Sequence, residues 1–427
     1  MNKNILVIEE SCDSLTNPVP TQSQERINSL DVLRGFAVFG ILIVNILAFA
    51  APPHLLYVKL NWWTSPIDRL VEWLVFFFAV GKFYCLFSFL FGLGFAVQKL
   101  RAGENSKLTY RYIRRLLVLL VIGFLHTFLL WWGDILLTYA LLGFLLVMFV
   151  DVSRKTLLIT AFICLAIPIQ LSSLETLVAG LSQSSPEAKE KTQVELKKLT
   201  SNYKELAQES INAYSKGSYK TIFNQRIEEV KLKYSRIVYV APQIFAMFLL
   251  GLYVGQIGIF QNLKANLLLI SKVMKWGLSF GIVSNLLFVI SQELSNPLVP
   301  SILDIINTVS YGIGTFSLCF FYMAALLVLL QSKKWQRILA PFTAVGRLAL
   351  SNYLLQSIIC TTIFYSYGLA LYGKVNPALS ILLAIFIYII QVFLSIWWIK
   401  RFYFGPMEWL WRSITYLKFQ PMKKNKN

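Results

Sequence analysis

The feature that most constrains this chain is the segment formed by residues 29–45, SLDVLRGFAVFGILIVN, in which polar side chains interrupt an apolar run. Asp31, Arg34 and Asn45 are costly in a membrane-spanning helix unless they face a bundle interior or a wet cavity. Arg34 and Asn45 are eleven residues apart, which is about three helical turns, so they share one stripe of the helix. A helix used only as an anchor has no need of that stripe.

The composition is that of a membrane protein. Hydrophobic residues make up 56% of the chain, charged residues 14%, and the mean hydropathy is +0.61. Runs long enough for a hydrocarbon core of about 30 Å predict an all-α, polytopic transmembrane helical bundle of about ten spans. The predicted spans are residues 32–51, 83–97 (extended backward through 70–80), 116–132, 135–150, 156–181, 237–260, 267–290, 302–330, 342–365 and 378–399.

The distribution of basic residues predicts the topology. Most lysines and arginines lie in loops beside spans, where they mark the cytoplasmic side, so both termini are predicted to be cytoplasmic and the protein to lie in the cell membrane. The net charge of +19 is explained in this way, and we expect no nucleic-acid partner. We divide the chain into a polar tail (1–28), an N-terminal transmembrane half (29–181), a soluble helical loop (182–236), a C-terminal transmembrane half (237–404) and an interfacial helix with a basic tail (405–427).

The soluble loop is predicted to be extracytoplasmic and helical. It either caps the bundle as a solvated helical hairpin or closes over a substrate mouth as a lid. The five cysteines lack metal-ligand spacing and the two histidines are too few for a zinc or iron site, so neither a metal nor a tightly bound cofactor is expected.

The strongest candidates for chemistry are His126 and Asp134, in the stretch GFLHTFLLWWGDILLTYA. A histidine in a low-dielectric site suits general base work near neutral pH, and a carboxylate within hydrogen-bond reach fixes its tautomer and raises its basicity. In the alternative interpretation, His126 binds a neighbouring helix and Asp134 caps the next one.

Further polar side chains lie within predicted spans. Lys82 either reaches the interface or faces a cavity. The stretch GRLALSNYLLQS carries two polar stripes, which either line a cavity or hydrogen-bond to neighbouring helices, and their density favours a cavity. The predicted substrate-binding residues are Asp31, Arg34, Lys82, Arg347, Ser351, Asn352, Tyr353 and Gln356.

Five stretches together resemble the YeiB-type family of bacterial inner-membrane proteins, a family of unknown function. They are SLDVLRGFAVFGILIVN, KFYCLFSFLFGLG, GFLHTFLLWWGDILLTYA, GRLALSNYLLQS and GPMEWLWR, in the order typical of the family. The SLDxLRG opening is also similar to that of the transmembrane acyltransferase group. Members of that group, such as the lysosomal heparan glucosaminide acetyltransferase and bacterial enzymes that acetylate surface sugars, pass an acyl group from a cytoplasmic thioester to an acceptor across the membrane.

The resemblance implies roles for individual residues. In the sugar O-acetyltransferases, an arginine on the first helix is followed eleven positions later by a histidine; here Arg34 matches the arginine, but Asn45 stands in the histidine's place. Asparagine is no base, so His126, oriented by Asp134, would deprotonate the acceptor. Asn45 would donate to the oxyanion, and Arg34 would bind phosphates of acetyl-CoA or a related thioester.

The resemblance therefore implies acyl transfer to a sugar, lipid or small-molecule acceptor at the bilayer. Two other classes stay open at this point: a transporter or lipid flippase whose polar stripes line a permeation path, and an accessory membrane subunit whose soluble loop docks a partner. The sequence does not indicate the oligomeric state.

Overall fold

A computed structural model describes residues 28–53, 63–102, 107–182, 186–296 and 301–424, in which helices are joined by short loops. The predicted polar N-terminal tail lies outside the described residues up to residue 27. The helices are α1 (Asn28–Ala50), α2 (Pro66–Phe78), α3 (Lys82–Ala102), α4 (Lys107–Leu125), α5 (Leu136–Val147), α6 (Arg154–Ser182), α7 (Pro186–Lys216), α8 (Tyr219–Ser235), α9 (Ile237–Ile257), α10 (Leu267–Leu294), α11 (Ile302–Leu329), α12 (Lys333–Arg347), α13 (Ala349–Phe364), α14 (Pro377–Arg401) and α15 (Pro406–Tyr416).

The predicted all-α multi-pass bundle is confirmed. Within the described ranges, eight helices are long and apolar enough to cross a membrane, and the number is nine if α12 and α13, bent by 78° at their junction, form one broken span. The fourth predicted span, residues 135–150, corresponds to α5, which has 12 residues. It rises about 18 Å, so it needs the non-helical residues at its ends to complete a crossing.

The second predicted span extends backward, as expected, because α2 and α3 form one apolar unit over Pro66–Leu100. The unit is interrupted at Gly81, which has φ +88°. A Cβ there would lie 2.7 Å from the Thr315 and Tyr311 hydroxyl oxygens. The turn therefore requires glycine both for its backbone conformation and for the close approach of α11.

Helices α1 and α12 cross almost backbone to backbone. A Cβ on Gly35 would lie 2.0 Å from the Phe342 carbonyl oxygen, and one on Gly346 would lie 1.8 Å from that of Asp31. Small residues allow such close contacts between membrane helices. The crossing brings the polar start of α1 to the end of α12, at the side of the bundle that also holds α15. We call this side the basic end.

Helices α7 and α8 form a polar hairpin at the opposite side, which we call the hairpin end. Tyr214 and Ile222 anchor it in a hydrophobic cluster that also contains Trp131, Tyr365 and Tyr372. The predicted helical character of this segment is thus confirmed, and the hairpin packs on the bundle.

Candidate active site

Between α4 and α5 the backbone departs from α-helical geometry. Helix α4 continues into a π-helical turn, His126–Leu130, and the residues that follow are non-helical as far as α5. Trp131 and Asp134 in this segment are both buried. Irregular backbone at membrane depth is tolerated only where protein or a wet cavity covers it, and π-turns are frequent at functional sites. This break turns Asp134 back toward His126.

Asp134 and His126 are hydrogen-bonded inside the protein. Asp134 Oδ1 lies 2.8 Å from His126 Nδ1, and Asp134 Oδ2 accepts from the Leu137 backbone N–H at 2.7 Å. Asp134 is 0% exposed and His126 is 2% exposed. One carboxylate therefore caps α5 and also binds the imidazole, whereas the role of His126 as a base stays a prediction. An ionised carboxylate only accepts hydrogen bonds, so Nδ1 carries the proton and Nε2 is left as an acceptor.

The second ring nitrogen faces a serine that the sequence interpretation missed. His126 Nε2 lies 2.8 Å from Ser357 Oγ on α13, and Ser357 is 1% exposed. With the tautomer above, the serine hydroxyl donates to the imidazole. A carboxylate, an imidazole and a hydroxyl linked in this order form the arrangement that activates a serine in acyl transfer.

Ser357 closes the stretch GRLALSNYLLQS, one turn after Tyr353. The Tyr353 ring packs against the His126 ring, with 5.3 Å between the centroids. The i,i+4 spacing of Tyr353 and Ser357 was the signal available in the sequence, because it places both residues on one face of a helix. Nothing local indicates that this face meets His126.

The other polar stripe of α13 lies in helix packing. Asn352 donates to the Ser395 hydroxyl at 3.0 Å, Gln356 donates to the Gln391 side-chain oxygen at 2.9 Å, and Gln391 donates back to the Asn352 carbonyl. These contacts join α13 to α14, as the hydrogen-bonding alternative expects. A role for Asn352 and Gln356 in substrate binding stays a prediction.

Charged residues gather at the basic end. Arg34 and Asp31 form an ion pair of 2.8 Å in which the Arg34 side chain is 30% exposed and that of Asp31 1%. The Arg34 guanidinium also lies close enough to Arg115 for their like charges to repel. Arg347 and Lys424 are likewise close to each other. Burial is the main cause that lowers the pKa of Lys424, and the Arg347 charge lowers it further.

Ser351 lies at the start of α13, between the basic end and the His126 site. Its hydroxyl and its backbone N–H bind the buried carboxylate of Glu408 on α15. Ser351 precedes Ser357 by six residues, or about 9 Å along a helix. The basic end and the His126 site are therefore less than two helical turns apart along α13.

Lys82 and Asn45 lie elsewhere in the bundle. Lys82 is buried, donates to the Phe76 carbonyl at 2.9 Å and lies over the Phe288 ring. Its ammonium therefore does not reach an interface. Asn45 is half-buried, one turn before Phe49, whose ring stacks on Trp131 at 4.0 Å. That stack places this face of α1 beside the break after α4.

The hairpin of α7 and α8 hydrogen-bonds to the irregular segment between α4 and α5. Lys233 donates to the Asp134 carbonyl, Arg226 donates to the Phe128 carbonyl at 2.7 Å, and the Tyr219 hydroxyl binds the same π-helical turn. These donors satisfy carbonyl groups that a continuous helix would have used internally. Burial lowers the pKa of Lys233 to about 8, opposed by the Asp134 charge.

A cavity of about 310 Å³ lies where α8 meets α9. Trp132, Tyr239, Glu229, Lys233 and Arg236 are among its lining residues. Lys233 both lines the cavity and donates to the Asp134 backbone carbonyl, so the cavity adjoins the segment that holds Asp134. Among the described residues, no group of three or more His, Cys, Asp or Glu side chains is arranged to hold a metal ion.

The fold and this site define a multi-pass membrane protein with a buried Asp–His–Ser chain of hydrogen bonds. Residues 254–418 match the family described as "Protein of unknown function (DUF418)". The chain is 37% identical to the uncharacterized protein YxaH of Bacillus subtilis, over 95% of this chain and 98% of that protein. It is 30% identical to an uncharacterized 39.9 kDa protein in the amylase 3′ region of Bacillus acidopullulyticus, over 94% and 97%.

The chain is also 28% identical to the uncharacterized protein YeiB of Escherichia coli, over 92% of this chain and 96% of that protein. No solved structure matches it. The protein belongs to the DUF418, or YeiB-type, family, as its motifs indicated.

Proposed function

We propose that the protein is an acyltransferase of the cell membrane. It takes an acyl group from a cytoplasmic thioester such as acetyl-CoA and places it on a hydroxyl or amine of a sugar, lipid or small-molecule acceptor. The observation that carries this proposal is the buried imidazole of His126, bound by Asp134 on one nitrogen and by a hydroxyl on the other. Acyl transfer needs a group that removes a proton from a neutral nucleophile, and this imidazole is oriented to do so.

Asp134 supports the base in two ways. It holds the proton on Nδ1, so that Nε2 points its lone pair at the nucleophile, and it stabilises the imidazolium formed when Nε2 accepts a proton. The full burial of both groups keeps water away from the thioester and strengthens their interaction. General base catalysis of this kind contributes typically about 10²- to 10⁴-fold in rate.

The basic end is suited to the phosphates of a thioester nucleotide. Arg34, Arg115, Arg347 and Lys424 concentrate positive charge at this end, which suits a bound polyanion. The partial exposure of the Arg34 side chain leaves it accessible to a ligand. This assignment places the basic end and both termini in the cytoplasm, in accord with the charge distribution of the loops.

The acceptor is assigned to the hairpin end, outside the cytoplasm. The cavity there combines the aromatic rings of Trp132 and Tyr239 with the polar side chains of Glu229, Lys233 and Arg236. A pocket with an apolar body and a few charged groups suits an amphipathic or sugar-bearing molecule. Lys233, which lines this cavity, also donates to the carbonyl of Asp134, the partner of His126.

Calorimetry with acetyl-CoA and longer acyl-CoAs, on the full chain in lipid nanodiscs, tests the proposal. Arg34→Gln should weaken binding roughly 10- to 100-fold through loss of charge-assisted hydrogen bonds. Lys334→Gln, an exposed basic residue at the same end, is the matched control and should change little. His126→Ala should keep the affinity and abolish transfer, because a base acts on the chemical step.

Two results would contradict the proposal. One is the absence of binding across the acyl-CoA panel in a folded sample. The other is substrate-dependent proton movement in proteoliposomes that His126→Ala abolishes, which would identify a transporter.

A further inference from the structure

We infer that Ser357 is the nucleophile of the reaction and carries the acyl group as an ester between donor and acceptor. The inference rests on the proposed function and adds a covalent intermediate to it. In the simpler scheme, His126 activates the acceptor directly and Ser357 only orients the ring. The position of the Ser357 hydroxyl supports the covalent scheme.

Hydroxyl groups in this bundle usually donate to the carbonyl one turn earlier, as is common in membrane helices. On α13, Thr362 Oγ1 donates to the Ile358 carbonyl at 2.8 Å. Ser88 and Ser173 make the same bond at 2.7 and 2.8 Å. Ser357 differs, because its Oγ lies 3.5 Å from the Tyr353 carbonyl but 2.8 Å from His126 Nε2.

The single proton of the Ser357 hydroxyl is therefore directed at the imidazole. The imidazole in turn has its other nitrogen on Asp134, and all three side chains are at most 2% exposed. The enclosure of the hydroxyl with its base would exclude bulk water from the ester that forms.

The position of Ser357 along α13 also fits a carrier. Ser351, near the start of that helix, contacts Glu408 at the basic end, whereas the backbone N–H of Ser366, just after the helix, donates to the Tyr214 carbonyl of the hairpin. Ser357 lies between these contacts. An acyl group received from the basic end would thus be held between the two ends of the bundle after the thiol has left.

The reaction balances in two half-steps. Ser357 Oγ attacks the thioester carbonyl carbon while His126 Nε2 takes the hydroxyl proton. The carbon–sulfur bond then breaks, and the thiolate leaves with that proton from Nε2. In the second half-step, Nε2 takes a proton from the acceptor hydroxyl or amine, the acceptor attacks the seryl ester, and Oγ leaves with the proton.

The test needs no known acceptor. The full chain in nanodiscs is incubated with acetyl-CoA and isotopically labelled CoA, and label entering acetyl-CoA is measured. A covalent intermediate predicts exchange, and mass spectrometry of the quenched protein should place an acetyl group on Ser357. Longer acyl-CoAs that bind are treated in the same way.

Three variants sharpen the result. Ser357→Ala should lower the exchange rate by roughly 10³-fold or more while leaving acyl-CoA affinity unchanged. Ser357→Cys, which keeps a nucleophile, should accumulate a hydroxylamine-sensitive acyl thioester at that position. Thr362→Ala, which removes a hydroxyl from the exposed face of the same helix, should exchange like the wild type.

The possible failures are distinguishable. If the wild type binds acyl-CoA but shows neither exchange nor an adduct, Ser357 is not the nucleophile and only direct transfer by His126 is left. Transfer that survives in Ser357→Ala leads to the same conclusion. If the wild type binds no acyl-CoA, both the proposed function and this inference fail.

Discussion

Glu229 makes attachment of the hairpin to the bundle depend on pH, and Glu229→Gln should remove that dependence. The side chain is 1% exposed and accepts hydrogen bonds from the Tyr214 hydroxyl at 2.5 Å and the Ser210 hydroxyl at 3.2 Å. Burial raises the pKa of this carboxyl from 4.5 to about 7, against the opposing effects of both hydroxyls and of the Arg226 charge. The docked hairpin therefore binds a proton that the undocked hairpin releases.

The sign and size follow from linkage. For a carboxyl whose pKa is raised on docking, the stabilisation is fully present below pH 4.5 and is lost as the pH rises through about 7. At 1.36 kcal/mol per pKa unit, the difference between pKa values of 4.5 and about 7 corresponds to roughly 3 kcal/mol of docking free energy. Between about pH 5.5 and about pH 8, the docking free energy changes by about 2 kcal/mol, or roughly 30-fold in the docking equilibrium.

Hydrogen exchange of peptides from α7 and α8, followed by mass spectrometry in nanodiscs and corrected for intrinsic rates, measures the docking equilibrium. Glutamine resembles the protonated acid, so Glu229→Gln should be protected equally at both pH values. Glu228→Gln is the matched control, because Glu228 is exposed and pairs with Lys231. It should keep the wild-type pH dependence.

Two results would refute this reasoning. The first is wild-type protection that grows with pH, which would mean that the ionised carboxylate, held by Arg226, is the docked form. The second is an unchanged pH dependence in Glu229→Gln, which would assign the titration to another group. Lys233 is not that group, because burial lowers its pKa to about 8 and its titration would make protection grow with pH.

Three further predictions concern the site, the core and the topology. Asp134→Asn should lower transfer by roughly 10³- to 10⁴-fold, since an amide favours the wrong His126 tautomer; thioester affinity should stay within about twofold, and an equal loss of affinity would contradict the assignment. Lys82→Met should raise the thermal unfolding midpoint, because a buried ammonium with one carbonyl acceptor is replaced by a hydrophobic side chain; a lower midpoint would indicate a stabilising charge partner. In intact cells, an impermeant maleimide should label Lys216→Cys and not Lys334→Cys, and the reverse pattern would invert the topology.

Features that depend on nearby residues were predictable from the sequence. Apolar runs mark the spans because crossing a hydrocarbon core requires a continuous hydrophobic length. The Asp134–His126 pair was also within reach, since eight residues and one helix break separate the two. Polar residues at a helix start have few roles other than capping or pairing, and here Asp134 has both.

Features that depend on packing were not predictable. Ser357 is 231 residues from His126 along the chain, and the two meet only because α13 packs against the break after α4. The same packing turns Asn352 and Gln356 toward α14, although they share a helix and a motif with Ser357. The hydropathy of a helix shows that it is buried in the membrane, but its rotation about its own axis is set by its neighbours. That rotation, decided by tertiary structure alone, determines which hydroxyl of α13 faces the histidine.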